Sequence, residues 1–155
     1  RRRAKQREKQ AKIKKCLTDI QNDIFVIQAN IASPENTARI PQTITFDRVL
    51  SLQMAIFELE RNLPTLNHFI LPEGSTLCCL IHCVRTLVRK IEKKFPGYLK
   101  EPTLLAMYFD RVANLMFVLA RKVNKERGFK EQPPAYVEIN KRRSVKNKKR
   151  RMSNE

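Results

Sequence analysis

Four stretches of this chain repeat their apolar residues at alternating intervals of three and four, and each ends at a proline or glycine. The first set is Ile13, Leu17, Ile20, Ile24, Ile27 and Ile31, running toward Ser33-Pro34. The second is Val49, Leu52, Ile56, Leu59 and Leu63, closed by Pro64, with Thr45 or Asp47 available to cap its start. Ser75 opens the third, which carries Leu77, Leu80 or Ile81, Val84, Leu87 or Val88, and Ile91 before Pro96-Gly97. The fourth begins near Pro102, carries Leu105, Tyr108, Val112, Leu115 and Leu119, and stops at Gly128. Alternating three and four matches the 3.6-residue turn, so each set occupies one face of a helix, while proline removes a backbone donor and ends it. No segment alternates with period two. Four amphipathic helices must bury those faces against one another, which predicts an all-α four-helix bundle, and 155 residues suffice for one such core.

Charge divides the chain differently. Lysine and arginine number 32 against 15 acidic residues, for a net +17. Residues 1–15 hold nine cations (Arg1, Arg2, Arg3, Lys5, Arg7, Lys9, Lys12, Lys14, Lys15) and one anion, a net +8. Residues 141–155 hold eight (Lys141, Arg142, Arg143, Lys146, Lys148, Lys149, Arg150, Arg151) and one anion, a net +7. That leaves +2 for residues 16–140. The expected organisation is a basic N-terminal arm, 1–15, continuing into the first helix, and a helical bundle, 16–128. An extended strap containing Pro133-Pro134, 129–140, then leads to a basic tail, 141–155. Two concentrated cationic segments flanking a near-neutral domain predict binding to a polyanion, RNA above all. No apolar run reaches the ~20 residues of a membrane span, so a soluble protein is expected. Three of the four cysteines, Cys78, Cys79 and Cys83, crowd into six positions, a pattern unlike a disulfide framework and suited to a reducing compartment.

Few residues are arranged for chemistry. On the third helix Cys78 stacks over His82 and Cys79 over Cys83, but the two pairs point about 100° apart around the axis, so no metal site is expected. The third and fourth helices also carry Arg85, Arg89, Lys90, Glu92, Asp110, Arg111, Asn114 and Arg121, read either as a solvated ion-pair face or as a clamp for a triphosphate or RNA. The three glycines lie far apart and form no phosphate loop.

Longer motifs add a resemblance. Phe69-Ile70-Leu71-Pro72-Glu73-Gly74-Ser75, continuing through Leu80-Ile81-His82-Cys83-Val84-Arg85-Thr86 to Arg89-Lys90-Ile91-Glu92, resembles the FxLPGG…LHxART…RRAER signature of ATP:cob(I)alamin adenosyltransferases. The run from Tyr108 through Phe109-Asp110-Arg111-Val112-Ala113-Asn114 to Arg121 is similar to that family's LNRLSDYLFVLAR helix, and Ile20 to Pro34 to its IQNDLF…LATP segment. Residues 17–124 are covered in order. The resemblance implies a helical bundle that assembles as a trimer. It also implies a site holding Phe69, which would press on the corrin and displace the lower cobalt ligand, with Arg85, Arg89 and Glu92 at signature positions. Lys90 stands for an arginine, Asp110 for an asparagine, Asn114 for an aspartate and Glu73 for a glycine, and the basic segment Arg1 to Lys15 stands where the family's TxTGDxGxT loop cradles ATP.

Those departures lead to the expectation of a pseudoenzyme: a non-catalytic, adenosyltransferase-like component of a mitochondrial ribosome in the matrix. It would bind rRNA through the arms and neighbouring proteins through the bundle, as a homo- or hetero-trimer or singly, with no catalytic residue and no cofactor. Phe69, Arg85, Arg89, Lys90, Glu92 and Asp110 would be the remnant of a cobalamin and ATP site. The alternative is an active ATP:cob(I)alamin adenosyltransferase whose ATP loop lies upstream or comes from a partner. A third reading is a corrinoid carrier or sensor.

Overall fold

A computed structural model describes residues 2–32, 44–94 and 102–135. Its elements are α1 (Arg2–Ala32), α2 (Phe46–Glu60), α3 (Thr76–Lys94) and α4 (Pro102–Glu126), a four-helix bundle as expected. The punctuation works as the side chains dictate. Thr45 precedes α2 without a side-chain cap bond. The Ser75 hydroxyl accepts the Cys78 amide at 3.3 Å at the start of α3, and Gly128 takes φ 76° just beyond α4. Among the described residues no helix is long and apolar enough to cross a membrane. The strap beyond residue 135 and the C-terminal basic segment lie outside the described residues.

Helix α4 is the hub. Tyr108, Phe109, Val112, Ala113, Leu115, Met116, Val118, Leu119 and Ala120 are all buried, covering nearly its whole circumference, as a helix wrapped by neighbours requires. It lies against α3 on one side and α2 on the other. Val49, Leu52 and Ile56 supply the α2 face and Ile20 and Ile27 the α1 face. A polar knot joins three helices. Asp23 on α1 accepts from the Tyr108 hydroxyl at 2.8 Å and from Arg48 Nη2 at 2.6 Å. Burial, and then the neighbouring Asp23 carboxylate, push the Tyr108 phenol far above its ordinary pKa, so the ring keeps its proton and donates it.

The structure differs from the sequence reading on α3. Of the stripe expected to face the core, Leu77, Leu80, Val84, Leu87 and Ile91 are exposed, whereas the alternatives Ile81 and Val88 pack inward. Cys78 and His82 are buried beside Val88. A 3-4 repeat defines a face and leaves open which way it turns, and here the neighbouring residues pack inward because α4 meets that side.

Candidate functional site

The inward side of α3 carries the charged residues, and α4 answers them. Arg89 Nη1 donates to Glu92 at 2.9 Å and to Asp110 at 2.7 Å, and Nη2 donates to Asn114 Oδ1 at 3.0 Å. The Asn114 amide closes the set on the second Asp110 oxygen at 3.0 Å. Burial opposes the Arg89 charge, but Glu92 and Asp110 more than offset it and hold its pKa above the ordinary guanidinium value. Asp110 and Asn114 are one turn apart on α4. Taken together, the two departures from the family pattern are an exchange: one carboxylate and one amide still face Arg89, with their order reversed. The Asp110 carboxylate is committed to Arg89, and its other oxygen lies 3.7 Å from Arg111 Nη1.

One turn earlier, Arg85 lies in a different setting. Its guanidinium sits over the Phe117 ring, 5.4 Å from the centroid, and its Nε is buried with no partner among the described residues. His82 packs edge-on against the same ring at 6.3 Å with Nδ1 buried and unpartnered. Burial, and next the positive Arg85, lower the His82 pKa and keep the imidazole neutral. Lys90 points to solvent. Cys78 shares the packed side with His82 while Cys83 is exposed, and among the described residues no three ligands converge on a point.

Phe69 stands 77% exposed on the segment between α2 and α3, which has no regular structure of its own. That segment is held by Arg121, read from the sequence as an ion-pair or clamp residue, and by residues the sequence reading left out of the site. Arg121 Nη2 donates to the Pro64 carbonyl at 2.7 Å, and the Leu71 amide donates to the Gln132 carbonyl at 2.9 Å. The Asn124 amide gives a hydrogen bond to the Glu73 carbonyl at 2.7 Å and receives one from the Ser75 amide at 3.2 Å. Gly74 adopts φ 124°, and a Cβ there would lie 2.3 Å from Asn124 Oδ1, so the glycine this turn requires is the one the chain has kept. Glu73 replaces the other with its side chain in solvent. The signal that could have marked the anchor was a charged residue, Arg121, closing the apolar run from Met116 to Ala120.

The basic N-terminal segment forms the opening turns of α1. Arg3, Arg7, Lys9, Lys12, Lys14 and Lys15 are exposed there, with Lys12 paired to Glu8 at 3.2 Å and Lys15 to Asp19 at 2.9 Å. The side chains of Arg1, Arg2 and Lys5, and Lys141, Arg142, Arg143, Lys146, Lys148, Lys149, Arg150 and Arg151, lie outside the described residues.

Comparison with known proteins fixes the family. A family model described as cobalamin adenosyltransferase matches residues 2–123. The corrinoid adenosyltransferase of Mycobacterium leprae (strain TN) is 34% identical over 125 residues, 73% of this chain and 64% of that protein. The corrinoid adenosyltransferase of Bacillus subtilis (strain 168) is 30% identical over 115 residues, 72% of this chain and 58% of its own length. The chain therefore spans somewhat under two thirds of these relatives. Among solved structures, a variant of the PduO-type ATP:corrinoid adenosyltransferase of Lactobacillus reuteri, complexed with cobalamin and ATP, superposes with a TM-score of 0.65 at 20% identity, covering 76% of this chain and 67% of that one.

These matches overturn the expectation of a pseudoenzyme in a mitochondrial ribosome, with rRNA as its partner and no cofactor. The relatives are named for an enzymatic activity on corrinoids, and the solved neighbour holds cobalamin and ATP. Two physical grounds for that expectation also fall away. Asp110 is neutralised by Arg89, and the basic segment from residue 2 onward lies in α1, inside the matched region, so its charge is no sign of an added RNA-binding arm. By its sequence over residues 2–123 and by the bundle those residues build, the chain belongs to the cobalamin adenosyltransferase family.

Proposed function

We propose that this chain binds ATP and a corrinoid as the bundle portion of an ATP:corrinoid adenosyltransferase. The reaction named for its relatives moves the adenosyl group of ATP to cobalt, and triphosphate departs. The leaving group concentrates negative charge, so the protein must offer a preorganised cation near it and an apolar surface for the corrin.

The observation that carries this reading is Arg85. Arg89 is bound by two carboxylates and Arg121 by one, whereas the buried Nε of Arg85 has no partner among the described residues and its guanidinium rests on an aromatic face. A buried guanidinium nitrogen without a partner is unfavourable in a finished structure, and an anionic ligand supplies what it lacks. Phe69 supports the corrin half: a phenylalanine ring in solvent on a loop pinned at both ends suits contact with a flat macrocycle. His82, neutral beside Arg85, adds no competing charge.

Incubating the full-length protein with chemically reduced cobalamin and ATP tests the reading. Adenosylcobalamin is expected to form, and Arg85→Ala is expected to lower kcat/KM for ATP on the order of a hundredfold, the value of one charge-assisted phosphate contact, with Arg85→Lys recovering part of it. Absence of adenosylcobalamin with the unaltered protein defeats the proposal.

A further inference from the structure

The loop that presents Phe69 depends on a pair of side chains far from it in sequence. Arg121 is only 6% exposed near the end of α4, and its Nε donates to Glu131 Oε1 at 2.6 Å while Nη2 donates to Oε2 at 3.2 Å, a bidentate pair. The same Nη2 reaches the Pro64 carbonyl at 2.7 Å, where the loop begins. Arg121 also lies over the Phe117 ring, 6.0 Å from its centroid, on the ring that carries Arg85 at 5.4 Å. Glu131 is placed by the chain reversal at Gly128, where the Phe129 amide donates to the Asn124 carbonyl at 2.9 Å, and by the next residue, Gln132, whose carbonyl holds Leu71. Its anchors thus come from the last turns of α4 and the stretch of chain just after it, with the Cys78 and Cys79 thiols of α3 adding weaker bonds to the Glu73 and Pro72 carbonyls at 3.5 and 3.8 Å.

We propose that Arg121 and Glu131 are positioning residues for the adenosyltransferase site: their ion pair fixes the stand of the Phe69 loop relative to Arg85. The inference rests on the function proposed above. Lysine at 121 keeps the charge but has a single nitrogen, so it cannot hold Glu131 at two points and Pro64 together. Glutamine at 131 keeps the shape and loses the charge.

The test compares unaltered protein, Arg121→Lys and Glu131→Gln by two kinds of measurement. Hydrogen exchange, which needs no ligand, is expected to show the Leu71 and Ser75 amides exchanging roughly tenfold faster or more in both variants, with α4 amides unchanged. Kinetics with reduced cobalamin and ATP are expected to show kcat falling on the order of tenfold to a hundredfold while KM for ATP stays within about threefold. The visible absorbance of bound cobalamin, which reports cobalt ligation, is expected to lose the change that the unaltered protein produces. Unchanged loop exchange overturns the proposal, as does faster loop exchange with unchanged kcat and spectrum. If Arg121→Lys does not fold, Glu131→Gln decides, since Glu131 lies outside the helices. If the unaltered protein neither turns over nor alters the cobalamin spectrum, the adenosyltransferase reading fails and takes the catalytic sense of the pair with it. Exchange still decides whether the pair holds the loop.

Discussion

The two sides of α3 reverse the usual assignment of polarity. Its outward side is a continuous run of leucine, valine and isoleucine, and its inward side holds His82, Arg85 and Arg89 around a few small apolar residues. The inversion teaches that this helix serves two purposes. Its charged side is turned into the bundle because α4 supplies carboxylate, amide and aromatic partners there, and a guanidinium held in low dielectric acts on a ligand more strongly than one in water. Its apolar side contributes little to the chain's own core, and an exposed apolar stripe of that length is unusual.

Three measurements break or sharpen that contrast. Val88 and Leu87 are adjacent on α3, with exposures of 6% and 60%. Val88→Ala removes two buried methyl groups and is expected to destabilise the protein by about 2 kcal/mol in urea titration. A change near zero would mean the inward side is not packed as described. A smaller effect, visible only in acid, is expected from His82. Its folded pKa lies below the unfolded value of 6.5, so above that pH both states are neutral and the group has no effect on stability. As pH falls below about 6.5 the unfolded chain binds the proton first and stability drops. His82→Gln is expected to flatten that slope, and an unaltered slope would place the titration elsewhere. The smallest effect belongs to Leu87→Ala, expected to shift the stability of the protein in dilute solution by no more than about 0.5 kcal/mol. A loss matching that of Val88→Ala in dilute solution would show that the stripe packs within the subunit after all.

The same contrast explains what the sequence made legible. Helix ends were readable because Ser75 acts through its hydroxyl on the next turn and Pro102 and Gly128 through their own backbones, and caps and stops are local. The stripes were readable as faces, and on α4 the assignment needed no choice, since the helix is buried nearly all round. On α3 a choice existed, and it was settled by contacts with α4 that no interval within α3 encodes. Within the site, Arg85, Arg89, Glu92 and Asp110 were found through motif resemblance, but the meaning of Asp110 required seeing Asn114 one turn away on the same arginine. The loop anchors were hidden more deeply. Arg121 meets Pro64 across 57 positions and Asn124 meets Glu73 across 51, separations at which a sequence offers no spacing to count.

The bond from Tyr108 to Asp23 crosses 85 positions, and that separation bears on synthesis. A ribosome delivers α1 first, with Ile20 and Ile27 ready to be buried and an Asp23 carboxylate still without the phenol of α4. The partner that completes this face is α4, which emerges after α1, α2 and α3. Until it does, α1 waits with its apolar side uncovered, the condition under which nascent chains recruit chaperones and non-local contacts slow folding. The residue that seals the core is therefore also the one that sets how long the unfinished protein stays vulnerable.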